Sequence, residues 1–343
     1  MNMKKFIINC LAFLMVMVGV ASFSACSKDG DGNLETPKYE SVSAKYDITS
    51  ANSHIKSIEL TASGDYIIVR NDVVNANVNR VPMFIAKLEN ATRSDDWYNN
   101  IIQGRFTMIS DTEFQLEGFG TITIIEGSGS AVSLQIAPVN STPYTLEAEK
   151  KEQNPESAKT NKLCRSWGFD AFYMKIGVKF ENRNYTLIDG KYKWTEEDKF
   201  RNDVKNAYVN IIKKMAQDQG YSIGSEEMRQ IEAYAEQMAK DISFGENRPE
   251  KVIFTKAGTY MVVYHDSSLA IATWTWENEN EGKLRYSWDY SDMGNDAGNI
   301  STAYGIVNVE FSGSQLVLSE SVSNINEYIT SFTMKYYMSE IKK

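Results

Sequence analysis

The sequence predicts a mainly β protein, built from tandem antiparallel meander barrels or half-barrels with one helical hairpin inserted. Three observations predict this fold class. Aromatic residues make up 12% of the 343 residues, a composition that favours β structure. Short apolar segments alternate with tight glycine-containing turns, which is typical of a meandering antiparallel sheet. Two longer segments in the second half instead repeat apolar residues at helical spacing.

Residues 1–25 form a predicted signal peptide. Lys4 and Lys5 give it a positively charged start, and residues 6–20 form an apolar run. This run is too short for a comfortable membrane span and has the usual length of a signal-peptide core. With small residues directly before Cys26, the segment resembles the precursor of a bacterial lipoprotein, in which that cysteine is acylated. The resemblance implies lipidation (palmitate) at Cys26; an ordinary signal peptide with a chance cysteine is the alternative.

Residues 26–42 are predicted to form a flexible tether between the lipid and the folded part of the chain. They are polar, contain glycine and show no periodicity, which is typical of a flexible linker. The acidic, glycine-containing stretch just after Cys26 resembles the export tether of surface lipoproteins from Bacteroidota. This resemblance implies a protein anchored in the outer membrane and exposed at the cell surface, with the periplasmic face of that membrane as the alternative.

The remainder divides into two β domains, residues 43–146 and 163–343, joined by a charged linker at 147–162. The linker contains many charged side chains and almost no large apolar residue, so we predict a solvated loop or a short exposed helix. The strand–turn–strand pattern around Gly64 recurs around Gly258, and a later pair of strands recurs in the same order. This preserved order favours a tandem duplication over unrelated hairpins that share only turn chemistry.

Two helices are predicted inside the second domain, as a helical hairpin at about 195–242. A glycine at position 220 separates them, as is usual at the end of a helix. About eight short strands flank the hairpin and are joined mostly by tight turns. Each helix carries one apolar stripe at helical spacing. The stripes are Phe200, Val204, Tyr208, Ile211 and Met215, and Met228, Ile231, Ala235, Met238 and Ile242.

The second domain resembles a known family. The motif Leu163-Cys-Arg-Ser-Trp167, the turn Gly258-Thr-Tyr260 and the tryptophan-rich hairpin after it are similar to the lipocalin-like domains of Bacteroidota lipoproteins. Arg165 stands where these domains usually have glycine. The resemblance implies a calycin-type barrel over residues 163–343 and, more faintly, over 43–145. Most members of the family have no assigned chemistry, so the resemblance implies no specific activity.

Composition argues against several functional classes. A formal charge of −9 disfavours a nucleic-acid partner, because phosphate neutralisation needs a basic face. Two histidines and three cysteines show no spacing typical of a metal site, so neither a metal nor a cofactor is predicted. After removal of the signal peptide and lipidation at Cys26, Cys164 is left alone, so no intramolecular disulfide can form. Its apolar, aromatic surroundings predict a buried structural thiol.

Catalytic motifs are not found in the sequence. It contains no Gly-x-Ser-x-Gly elbow, no P-loop and no dinucleotide fingerprint. Paired carboxylates that hydrolyse glycosidic bonds stay open as an alternative, since one sequence does not show which acidic residues converge. We therefore predict a protein that is not an enzyme.

The aromatic hairpin that follows Gly258 is the candidate ligand site. Side chains alternate along a strand, so Trp274 and Trp276 share one face, and Tyr286 and Trp288 form a matching stripe across the turn. This stripe either fills the core of the barrel or lines a cavity for an apolar molecule or a sugar ring. In the second case we expect Trp276 nearest to the mouth of the cavity, because it lies closest to the turn.

Two functions are compatible with these observations. The first is a lipid-anchored envelope or cell-surface binding protein that holds a small apolar or sugar ligand in its C-terminal barrel. The second is a structural or interaction lipoprotein, in which the barrels are spacers and the helical hairpin docks a protein partner. Complete burial of the aromatic stripe, together with a second apolar face exposed on the helical hairpin, favours the second function, whereas a solvent-accessible cavity beside the stripe favours the first.

Overall fold

The structure is a computed structural model that describes residues 38–70, 101–180, 183–240, 242, 244, 248–288, 303–323 and 329–341. The predicted signal peptide, Cys26 and most of the predicted tether lie outside these residues. The described part of the chain forms two closed antiparallel barrels of eight strands each, together with a helical hairpin. The predicted mainly β fold with tandem barrels is confirmed.

The first barrel consists of β1 (Ala44–Ile48), β2 (Ile55–Leu60), β3 (Asp65–Arg70), β4 (Ile101–Met108), β5 (Glu113–Leu116), β6 (Gly120–Glu126), β7 (Ala131–Pro138) and β8 (Tyr144–Lys150). Each strand pairs with the next one, and β8 pairs with β1 to close the barrel. The interior is filled by inward-facing side chains, as expected for a barrel of this size. Phe106, Phe114 and Leu134 are among these buried residues.

The second barrel consists of β9 (Ser166–Phe180), β10 (Arg183–Lys193), β11 (Pro249–Phe254), β12 (Thr259–Tyr264), β13 (Leu269–Asn278), β14 (Lys283–Trp288), β15 (Ala303–Ser312), β16 (Gln315–Ser323) and β17 (Ile329–Glu340). Its order matches that of the first barrel, apart from the added strand β10. On one edge β9 pairs first with β11 and then with β10; on the other edge it pairs with β17, which closes the barrel.

The helices are α1 (Ala158–Leu163), α2 (Glu197–Asp218) and α3 (Ser225–Lys240). The predicted helical hairpin is therefore present as α2 and α3. Gly220 follows α2 with a φ of +75°, a conformation that favours glycine at the end of a helix. The apolar faces of both helices pack on β9 and β10 in one cluster. The cluster contains Val178, Leu187, Tyr208, Val209, Ile212, Met215, Ile231 and Ala235.

The predicted tether and the predicted linker are both partly packed. Tyr39, near the end of the predicted tether 26–42, is buried, and its ring centroid lies 4.7 Å from that of Phe106. β8 runs to Lys150, into the predicted linker 147–162, because its last residues pair with β1 and close the first barrel. The far end of the linker forms most of α1. A charged segment can be a solvated linker or a strand whose charged side chains face outward, so the charge of residues 147–150 did not show where the first barrel ends.

The two barrels are equivalent strand by strand, in agreement with the predicted duplication. Gly64 and Gly258 have φ angles of +81° and +82°, where a side chain would be strained. Each donates its N–H to the carbonyl of a threonine three residues earlier, Thr61 or Thr255. β6 and β15, whose sequences are also similar, are the sixth strands of their barrels. β10 and the helical hairpin are therefore an insertion into the second copy.

The barrels pack against each other through the outer faces of β3, β4 and β11 to β13. Ile67 and Ile101 of the first barrel share a buried apolar cluster with Ile253, Met261 and Leu269 of the second. Within β3, β11 and β12, residues on both faces are buried, which explains the continuous apolar runs of these three strands in the sequence. Removal of these side chains from water stabilises the contact between the barrels.

Buried polar groups border this apolar contact. Asp65 is 1% exposed. Its carboxylate accepts a hydrogen bond from the hydroxyl of Ser166 at 2.6 Å and lies 3.0 Å from the ammonium nitrogen of Lys251. Both partners belong to the second barrel. The apolar cluster and these three polar residues are together called the seam.

Candidate binding sites

The predicted aromatic stripe lies on β13 and β14, and much of it belongs to the core of the second barrel. Trp274 lies opposite Tyr286 and Trp276 lies opposite Leu284, so the pairing across the turn is as predicted. Trp274 is 3% exposed and Tyr286 is 1% exposed, and both pack among other buried residues of the barrel. Trp276 is half-buried, and the side chain of Trp288 lies outside the described residues. The burial of Trp274 and Tyr286 favours a packing role for these two rings.

α1 covers the end of the barrel at which Trp276 lies, which corrects the expectation of an open mouth there. Ser157 caps this helix, because its hydroxyl accepts a hydrogen bond from the N–H of Thr160 at 2.9 Å. The hydroxyl of Thr160 in turn accepts a hydrogen bond from the indole N–H of Trp276 at 2.9 Å. Leu163, the last residue of the helix, is fully buried in the barrel core.

A buried polar pair lies inside the second barrel. Glu320 on β16 is 3% exposed and accepts a hydrogen bond from the hydroxyl of Tyr286 at 3.0 Å. Burial raises the pKa of the Glu320 carboxyl to about 8, and the hydrogen bond from Tyr286 acts in the opposite direction. The carboxyl is therefore mostly protonated at pH 7, because an apolar interior disfavours the charged form. Glu320 is not among the site residues predicted from the sequence, although it follows Leu316 and Leu318 at inward-facing positions of the same strand.

The first barrel has apolar residues at the two equivalent positions. Leu116 and Tyr286 each lie opposite a glycine on the next strand, so they are equivalent. The glycines lie on β6 and β15, which pair in turn with β7 and β16. Counted from these glycines, Ile136 on β7 and Glu320 on β16 occupy the same register position, so they are also equivalent. Leu116 and Ile136 are both fully buried. A closed barrel of this kind therefore forms without the polar pair. Buried polar groups that the fold does not need are candidates for a functional role.

Aromatic residues hold the helical hairpin on the second barrel. The ring of Phe172 on β9 has four aromatic neighbours, with ring centroids 4.7 to 5.7 Å away. Tilted and edge-to-face rings at these distances attract each other beyond the effect of their burial. The neighbours come from β10, from α2 and from the segments beside the helices. They are Tyr192, Trp194, Phe200 and Phe244.

The surface of the helical hairpin carries an open groove of about 560 Å³, called the hairpin groove. Asn206, Asn210 and Lys213 lie on one face of α2, since residues three and four apart are neighbours on a helix. Lys205 forms an ion pair with Glu236 of α3, which links the two helices beside the groove. Amide, ammonium and carboxylate groups around one apolar side chain offer hydrogen bonds to a polar ligand. The groove is lined by Lys205, Asn206, Val209, Asn210, Lys213 and Glu232.

The remaining chemistry-bearing residues have packing roles or lie apart. Cys164 is buried and forms no disulfide, and burial raises the pKa of its thiol. Such a thiol is unreactive, which agrees with the predicted structural role. In the described part of the chain, no group of three histidine, cysteine or acidic residues is placed to hold a metal ion. Among the described helices, none has the length and apolarity needed to cross a membrane.

The fold defines a protein of two tandem β-barrels with an inserted helical hairpin. No protein-family model and no curated protein matches the sequence. Among solved structures, a tryptophan-to-alanine mutant of transferrin binding protein B from Haemophilus parasuis Hp5 is similar at 9% sequence identity, with a TM-score of 0.21. The match covers 82% of this chain and 52% of that one, so the chain spans about half the length of that protein. At this TM-score the likeness supports no inference about function.

Proposed function

We propose that the chain is a lipid-anchored envelope or cell-surface binding protein without enzymatic activity. Its two barrels form a support, and the hairpin groove is the surface that contacts the ligand. The observation that carries this proposal is the open groove of about 560 Å³ on the hairpin, whereas Trp274 and Tyr286 of the predicted barrel site are buried. The lining predicts a polar ligand, either a sugar chain or a polar segment of a protein partner.

The construction of the hairpin suits a binding surface. The groove is open to solvent and has a volume of about 560 Å³, so a polar ligand can reach its lining residues without displacing a buried side chain. The groove lies on two helices that pack on β9 and β10 and are held at one end by the rings around Phe172. A surface on fixed helices loses little conformational entropy when a ligand binds.

The proposed anchor is the lipid on Cys26. It rests on the lipoprotein-like order of charged start, apolar run, small residues and cysteine in the sequence. Several acyl chains on one residue anchor a protein stably, whereas one chain does so only marginally. We expect Cys26→Ser to release the protein from the membrane fraction or to leave it unprocessed. Palmitate labelling that persists in this variant would contradict lipidation at Cys26.

A second candidate is a small ligand inside the second barrel. The hydrogen-bonded pair of Glu320 and Tyr286 favours it, because the first barrel closes with Leu116 and Ile136 instead. The ligand would be a mainly apolar molecule with a hydroxyl group, or a sugar ring. Its hydroxyl group would form a hydrogen bond with Tyr286 or Glu320 in place of the bond that these two residues now form with each other. Such a ligand would have to displace buried side chains, whereas the hairpin groove is already open.

One set of variants separates the two candidates. Asn206→Ala with Asn210→Ala removes the amides of the groove, and Tyr286→Phe with Glu320→Leu replaces the polar pair by apolar residues of similar shape. Binding of the intact chain to an oligosaccharide array and to envelope proteins is measured for each variant, with Tyr66→Phe in the first barrel as the control. We expect at least a tenfold loss for the groove variant and little change for the others.

Loss of binding in the barrel variant alone would move the site into the second barrel. Wild-type protein that binds neither sugars nor envelope proteins would overturn the proposed binding function.

A further inference from the structure

The seam joins equivalent parts of the two barrels. The glycines of the equivalent turns are 258 − 64 = 194 positions apart. The same offset relates the irregularities in strand pairing next to these turns. β2 and β3 shift register between Ile55 and Ser57, and β11 and β12 do so between Pro249 and Lys251. The second and third strands of the two barrels therefore match residue by residue.

The apolar part of the seam contains matching residues from both barrels. With the offset of 194, Ile67 on β3 corresponds to Met261 on β12, and both belong to the same buried cluster. Ile101 and Leu269 also correspond, because each begins the fourth strand and pairs with the equivalent position of the third. They too belong to this cluster. Four of the five buried residues of the cluster thus form two equivalent pairs, and the fifth, Ile253, corresponds to the buried polar residue Glu59.

Two polar contacts between the barrels are reciprocal. Lys45 and Ser166 occupy the same register position on the first strands of their barrels, and Asp65 and Thr259 are 194 positions apart. The ammonium group of Lys45 donates a hydrogen bond to the hydroxyl of Thr259 at 3.3 Å. The hydroxyl of Ser166 donates one to the carboxylate of Asp65 at 2.6 Å. Exchange of the two barrels converts each of these two contacts into the other. The ion pair of Lys251 with Asp65 has no equivalent, because the residue that corresponds to Lys251 is Ser57.

We infer that this outer face is a self-complementary docking surface, and that the two repeats dock through it about a pseudo-two-fold axis that passes between Ile67 and Met261. Interfaces of this kind, in which one patch meets its own copy, join the subunits of two-fold symmetric dimers. The partner that the face fits is therefore the same face of a second repeat. The inference is independent of the proposed binding function.

The test is a size exchange at the axis in the full chain. Met261→Ala leaves a cavity in the seam, and Ile67→Phe adds volume to it if the two side chains meet on the axis. We expect Ile67→Phe to recover at least half of the fall in urea midpoint caused by Met261→Ala. The matched control is Val262→Ala, since Val262 is the next residue but faces the interior of the second barrel. Ile67→Phe is expected to recover none of that loss.

Additive effects of Ile67→Phe and Met261→Ala, or an equal rescue of Val262→Ala, would overturn the inference. A second measurement needs no variant. A methyl-labelled sample of the wild-type protein is expected to show a nuclear Overhauser effect between the δ1 methyl of Ile67 and the ε methyl of Met261. Absence of this signal would also overturn the inference that a pseudo-two-fold axis passes between Ile67 and Met261.

Discussion

Substitution of Asp65 by asparagine tests whether the polar part of the seam stabilises the protein. Asp65→Asn keeps the shape of the side chain and removes its charge, so Lys251 loses its ion-pair partner. Removal of one partner from a fully buried ion pair costs about 3–5 kcal/mol. The side chain of Lys251 is 18% exposed, so water compensates part of this cost. We therefore expect the free energy of unfolding to fall by about 2–4 kcal/mol.

The assay is equilibrium unfolding in urea, followed by tryptophan fluorescence and by circular dichroism. Asp47→Asn is the matched control, because Asp47 pairs with Lys151 at 3.8 Å and both side chains are 47% exposed. An exposed pair of this kind contributes about 0–1 kcal/mol. If Asp65→Asn changed stability no more than the control, the seam would not depend on its buried ion pair.

Three further results are expected. Burial raises the pKa of Glu320 from 4.5 to about 8, so the folded state holds this proton more tightly than the unfolded state does. The free energy of unfolding should then fall by up to about 1.4 kcal/mol per pH unit as the pH rises from about 5 to 8. In Glu320→Gln, the urea midpoint should no longer show this fall with pH. Gly258→Ala should cost roughly 1–3 kcal/mol, because its Cβ would lie 3.1 Å from the carbonyl oxygen of Trp274. Gly118→Ala, with a φ of +75° and no neighbour within 4 Å, should cost less, as measured for both variants by equilibrium unfolding in urea. Iodoacetamide should modify Cys164 in urea and not in the folded protein, as followed by mass spectrometry; rapid native modification would contradict its burial.

The barrels and the hairpin could be predicted because their patterns are local. Alternation along strands, positive-φ glycines in turns and helical stripes depend on residues close in sequence. Contacts between domains depend on surfaces that are distant in sequence, so the seam was missed. One signal was available: residues 66–69 and 260–263 are continuously apolar, which indicates strands buried on both faces. The short helix that the sequence allows in the linker is present as α1, but its contact with the second barrel could not be predicted for a similar reason, since Thr160 meets Trp276 only in the folded chain.

The candidate sites were predicted less well than the fold. Sequence alone pairs Trp274 with Tyr286 correctly, but it does not show that the rings are buried or that α1 covers the end where Trp276 lies. Glu320 was visible as an acidic residue at an inward-facing position, and comparison with Ile136 in the first repeat would have singled it out. The hairpin groove depends on how α2 and α3 pack, which the helical stripes do not specify.

Site-specific photo-crosslinking tests the central claim, ligand contact at the hairpin groove, most directly. A photoreactive amino acid replaces Asn210 in the groove or Gln237, which is exposed on α3 and does not line the groove. Cells that express each variant are illuminated, and adducts are identified by mass spectrometry. We predict one specific protein or sugar adduct from position 210 and none from 237. No adduct at position 210, or the same adducts at both positions, would contradict the proposed site.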